Sequence, residues 1–151
     1  MKIYNRKFRR DYEEIEKYEV GIALTGAEVK SVRAGRIKLE DSFVKILGSE
    51  VYLLNAEIQI YEYARPQGYD LRRTRKLLLH KKEIIRLKTK LSASGRLTIV
   101  PVSCYNKAGL VKLEIALAKG RRGMEKKKLE KAKDIKREEE REAKEYLKSD
   151  R

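Results

Sequence analysis

After Gly120 the chain runs out of the residues that build a core. Its last 31 positions are mostly Lys, Arg, Glu and Asp, whereas apolar and β-branched residues recur through the first 120, with turn signals between them. A folded domain is therefore expected over 1–120 and a charged tail over 121–151.

Within the first 120 residues the apolar periodicity is mostly that of strands. Tyr18 to Leu24 puts Val20, Ile22 and Leu24 on one face and Glu19 on the other. Segments 41–47 and 51–60 flank Gly48-Ser49, a two-residue hairpin turn. Leu97 to Tyr105 and Leu110 to Ala118 flank a second turn, Asn106 to Gly109. In the last segment Val111, Leu113, Ile115 and Leu117 face inward, Lys112 and Glu114 outward.

Helical signals are fewer. Thr25-Gly26-Ala27-Glu28 has the form of a capping box and predicts a helix over about 27–34, ending at Gly35. Val29 and Val32 turn to its core side, Lys30 and Arg33 to another face. Ile84, Leu87 and Leu91 predict a helix over 81–91. Tyr4 to Tyr12 reads as one further turn. Tyr61 to Thr74, with Arg65-Pro66, Gly68 and three tyrosines, is the longest irregular stretch. The expected fold is mainly β: a small OB-like antiparallel β-barrel with two to three short helices, since closure removes exposed edges.

The tail has strong helix formers and no Gly or Pro from Lys126 to Lys148, but only Leu129, Ile135 and Leu147 as a sparse apolar side. It is expected to be disordered when free and helical when bound. A solvated helix formed at all times is the alternative.

Signatures of chemistry are missing. His80 is the only histidine and has no zinc-site spacing. Gly120-Arg121-Arg122-Gly123 is not a phosphate-binding loop. Cys104 stands alone and alternates within a strand, which reads as packed. No catalytic residue, metal or cofactor is expected. With no apolar run near 18 residues and no apolar leader, a cytoplasmic protein without membrane attachment is expected.

The formal net charge of +15, from 38 Lys and Arg against 23 Asp and Glu, favours a polyanionic partner. Nucleic acid is the first candidate and an anionic membrane surface the second. Four basic clusters stand out: Arg6-Lys7 with Arg9-Arg10; Lys30, Arg33 and Arg36; Arg72-Arg73 with Arg75-Lys76; and Arg121-Arg122 with Lys126-Lys127-Lys128. Arg forks hold phosphate bidentately and stack on bases, and tyrosines beside them suit unstacked bases.

Several motifs are more specific. They are Asn5-Arg6-Lys7; Gly21-x-x-Leu24-x-Gly26-x-Glu28-Val29-Lys30-Ser31-x-Arg33-x-Gly35; Leu39-x-Asp41-Ser42-Phe43; Arg73-x-Arg75-Lys76-Leu77-Leu78-Leu79-His80-Lys81; and Leu97-Thr98-x-Val100-Pro101-Val102 with Tyr105 and Gly109. In this order they resemble the SsrA-binding protein (SmpB) family. The resemblance implies an OB-like barrel that binds the tRNA-like part of transfer-messenger RNA and delivers it to stalled ribosomes in trans-translation. It also implies a tail that enters the 16S ribosomal RNA decoding centre and the messenger channel as a helix. Elongation factor Tu with GTP is an implied partner, and a monomer is expected.

By motif, Asn5, Glu19, Leu78 and Lys112 match RNA-binding positions of the family, and Arg6, Lys7, Lys30, Arg33, Arg73, Arg75 and Lys76 join them as basic candidates. Leu78 is equally readable as core. Arg121, Arg122, Met124, Lys126, Lys127 and Lys128 are the expected ribosome-binding residues, with Met124 where the family carries an aromatic ring or histidine. The alternative function is a general structured-RNA or ribosomal-RNA-binding protein.

Overall fold

Strand pairing extends well beyond the apolar runs that announce it. The structure, a computed structural model, describes residues 1–64, 68–121 and 123–149, with side chains over 1–64, 68–121 and 131–144. In chain order its elements are β1 (Lys2–Tyr4), α1 (Phe8–Asp11), β2 (Tyr12–Ile22), α2 (Gly26–Arg33), β3 (Ile37–Lys38), β4 (Phe43–Leu47), β5 (Glu50–Leu54), β6 (Glu57–Ile58), β7 (Arg75–Leu78), α3 (Lys81–Ala93), β8 (Leu97–Lys107), β9 (Leu110–Gly120) and α4 (Gly123–Ser149). It divides into two compact units, Met1–Gly120 and Arg121–Arg151.

In the first unit every pairing is antiparallel, and the order β8-β4-β5-β7-β2-β9 closes when β9 returns to β8. β1 pairs with the end of β8, Lys2 opposite Tyr105. A separate two-stranded ribbon joins β3 to β6. The fold is thus the expected OB-like antiparallel barrel. Its central hairpin, β8–β9, turns at Ala108 (φ 50°) and Gly109 (φ 77°). Both central residues lie at positive φ, the condition for a two-residue turn that matches strand twist. That turn sets the register, Lys107 opposite Leu110 and Tyr105 opposite Lys112.

The barrel interior is filled by Val20, Leu53, Leu77, Ile99, Leu113 and Ile115, and Val32 of α2 and Leu87 of α3 pack into the same core. Thr25 and Glu28 form the predicted capping box at the start of α2. A second, smaller cluster joins Phe8 of α1 to Val100, Ala116 and Ala118. β8–β9 is therefore buried on both sides at this end, and alanines at 116 and 118 leave room for the phenylalanine.

β1, β3 and β7 were not expected, and the strand expected over 51–60 is split into β5 and β6, which lie in different sheets with Asn55 at φ 64° between them. β1 and β3 are two or three residues long, too short to display a period, and β7 lies in a triple-leucine run where alternation is invisible. Arg65 and Pro66, the proline signal of the expected loop, lie outside the described residues. In the second unit the tail is helix α4, 27 residues long, the conformation expected of its bound state. Its strong helix formers account for the conformation. Every residue from 131 to 144 is exposed, Ile135 among them. Among the described residues no helix is long and apolar enough to cross a membrane.

Candidate nucleic-acid interface

Residues directly opposite on paired strands share a face. Lys2, Tyr105, Lys112, Gly21 and Leu78 are successive partners across β1, β8, β9, β2 and β7. Their chain neighbours Ile3, Cys104, Val111, Val20, Ile22 and Leu77 belong to the core, so all five face outward. Four strand spacings of about 4.8 Å make this row about 19 Å long along the sheet. It offers a cation, a ring, a second cation and an apolar patch.

Gly21 is what lets the row end on Leu78. A Cβ at position 21 would lie 3.3 Å from Leu78 Cβ and Cδ1, so the leucine lies against bare backbone. Leu78 is 56% exposed, which answers the question left open between core and surface.

Glu19 lies two residues from Gly21, opposite Glu114. Two carboxylates facing each other across strands repel, and each has its own cation: Lys107 Nζ is 3.1 Å from Glu19 and Lys17 Nζ 3.4 Å from Glu114. The Tyr105 hydroxyl also donates to Glu19 Oε2. This hydroxyl and the Lys107 ammonium hold the Glu19 carboxyl below the usual carboxylate range. Burial, then the carboxylate, pushes the Tyr105 phenol up. Lys2 Nζ lies between two rings, 5.2 Å from Tyr4 and 5.5 Å from Tyr105. Lys2, Tyr4 and Lys107 are absent from the residues expected to bind, and Tyr105 enters only as part of a family motif, although counting back from the β8–β9 turn pairs it with Lys112.

The other expected residues lie in separate settings. Asn5 is buried: its Nδ2 donates to Pro101 O at 2.9 Å, and its Oδ1 accepts from the Lys7 N–H at 3.2 Å. It shapes the turn that carries Arg6 and Lys7, and Lys7 pairs with Asp41 at 3.2 Å. Lys30 sits 5.3 Å over the Tyr61 ring. Arg33 donates to Gly109 O at 2.8 Å, tying α2 to the hairpin tip. Lys76 pairs with Glu50 at 3.3 Å.

Arg75 requires a correction, because it is an interior residue, fully buried, and presents nothing to RNA. Its Nε donates to Glu28 Oε2 at 2.8 Å, and its other nitrogens reach the carbonyls of Ala56, Arg73 and Leu71. Arg73, partly exposed, holds the other oxygen of the same carboxylate. Burial pushes the Glu28 carboxyl up, but the Thr25 N–H and the two guanidiniums outweigh it, and its pKa falls below the ordinary value. Cys104 is buried, and burial pushes its thiol up to about 12, which leaves it inert. Arg122, and the side chains of Met124, Lys126, Lys127 and Lys128, lie outside the described residues.

A closed OB-like barrel with a cationic and aromatic outer face defines a nucleic-acid-binding module. The chain belongs to the SmpB protein family, whose model matches residues 2–145. It is 53% identical over 134 residues to the SsrA-binding protein of Sulfurihydrogenibium sp. (strain YO3AOP1), covering 89% of this chain and 88% of that one. It is 49% identical over 143 residues to the SsrA-binding protein of Rubrobacter xylanophilus, covering 95% of each. A chain of the solved structure "tmRNA-SmpB: a journey to the center of the bacterial ribosome" is 45% identical, with a TM-score of 0.66, covering 81% of this chain and 85% of that one.

Proposed function

We propose that this chain binds transfer-messenger RNA through the outer face of the barrel and brings it to stalled ribosomes for trans-translation. The family match across residues 2–145 carries the reading. The row from Lys2 to Leu78 supports it with phosphate-binding cations, rings and an exposed leucine for unstacked bases, and Glu19 as an acceptor for base edges. Glu19, Leu78 and Lys112 form the centre of the contact, and Arg6, Lys7, Lys30, Arg33, Arg73 and Lys76 surround it as phosphate contacts. Asn5 acts by holding the Arg6-Lys7 turn. Arg121, Arg122, Met124 and Lys126 to Lys128 begin the tail that enters the decoding centre and messenger channel. The protein acts as a cytoplasmic monomer without chemistry of its own, and elongation factor Tu with GTP joins the delivery complex.

Competition tests the reading. Labelled transfer-messenger RNA bound at physiological salt should resist displacement by excess unrelated structured RNA; ready displacement would favour a general structured-RNA binder. Lys112→Ala should weaken binding and flatten the plot of log affinity against log salt by about one unit. An unchanged slope would mean that Lys112 meets no phosphate.

A further inference from the structure

We propose that Tyr105 and Lys107 are positioning residues that hold the Glu19 carboxylate as a preset acceptor for an amino or imino N–H of a nucleobase. The inference rests on the function proposed above and extends it to a source of base preference within the face.

A glutamate on a strongly basic surface is a poor choice for binding a polyanion, and its use lies in what phosphate-binding cations cannot do. A carboxylate accepts hydrogen bonds from base edges and repels phosphate. It discriminates only if its oxygens are fixed, because a freely rotating side chain must be ordered when RNA binds. Glu19 is fixed from one side. The Tyr105 hydroxyl donates to Oε2, and Lys107 Nζ lies 3.1 Å from Oε1 and 3.3 Å from Oε2. Both come from β8, two strands away, with β9 between. The titratable groups facing Glu19 are therefore the neutral Tyr105 phenol and the Lys107 ammonium from β8, and Lys112 and Glu114 from β9. Tyr105 is itself set between Lys2 and Lys112 in the register. The Glu19 side chain is 37% exposed, and a carboxylate with about four lone-pair sites holding two donors has sites left for a ligand.

The test uses the full chain and a fragment of transfer-messenger RNA comprising its tRNA-like domain, with affinity measured across a salt series. Tyr105→Phe keeps the ring beside Lys2 and removes only the hydroxyl. It should weaken binding by about tenfold and leave the salt slope unchanged, since no phosphate contact is lost. Combined with Glu19→Gln it should add little further loss, because both changes disable one acceptor. Lys107→Gln, at an exposed position, should show the same coupling to Glu19→Gln. Wild-type affinity for Tyr105→Phe, or losses that add fully with Glu19→Gln in both pairs, would overturn the inference while leaving the RNA-binding function standing. Failure of the wild-type chain to bind the fragment would instead overturn the functional reading.

Discussion

Glu28→Ala is expected to remove about 3–5 kcal/mol of folding stability, a large share of the roughly 5–15 kcal/mol that holds an ordinary domain folded. The residue is 1% exposed and its partner Arg75 0% exposed, with Arg75 Nη2 2.6 Å from Oε2. Removing the carboxylate strands a buried guanidinium, and its remaining bonds to the carbonyls of Ala56, Leu71 and Arg73 do not balance its charge. The Thr25 N–H loses its acceptor as well, so α2 loses half of its capping box. Urea unfolding at neutral pH measures the effect, and a midpoint close to wild type would rule out a structural role for the pair. The pH dependence follows from the same group. Its pKa is lower folded than unfolded, so its contribution is complete above the unfolded carboxyl value of about 4.3 and fades as pH falls through the folded value. Glu28→Ala should therefore flatten the acid side of the stability profile.

The same pair shows where sequence reasoning stops. The capping box was legible because it is local: Thr25 and Glu28 are three residues apart on one turn. The second use of Glu28 spans 47 positions to Arg75, and no local pattern announces it. Arg75 lay in a run of basic residues and was grouped with them by composition. Its phase along β7 would have separated them, because Arg75 and Leu77 face in while Lys76 and Leu78 face out. Three successive leucines hide that phase, and only pairing with β5 and β2 fixes it. The outward face was partly legible for a similar reason. Lys112 and Glu114 alternate with plainly apolar neighbours and were placed correctly. Tyr105 alternates with Cys104 and Asn106, whose polarity gives no phase, and Lys2 lies on a strand of three residues.

Truncation after Gly120 should abolish ribosome rescue and leave affinity for transfer-messenger RNA within about twofold of wild type, as expected for independent sites. Among the described residues, the buried hydrophobic ones lie within the first 120, which form a compact unit of their own. The tail's charge is unevenly spread: Lys and Arg outnumber Asp and Glu 9 to 3 over 121–137, and the balance reverses to 4 against 6 over 138–151. Positive charge at the start of a helix and negative charge towards its end both oppose the helix dipole. The side chains from 131 to 144 are exposed, so packing does not offset that cost over this stretch. A phosphate backbone beside the first turns would reverse the unfavourable term there, and the messenger channel proposed for the tail would supply one. The salt dependence of transfer-messenger RNA binding separates this division of labour from its rival. If the tail serves the ribosome alone, truncation leaves the slope unchanged. If it also grips transfer-messenger RNA, truncation flattens the slope by several units as those phosphate contacts disappear, and the barrel is then only part of the RNA-binding surface.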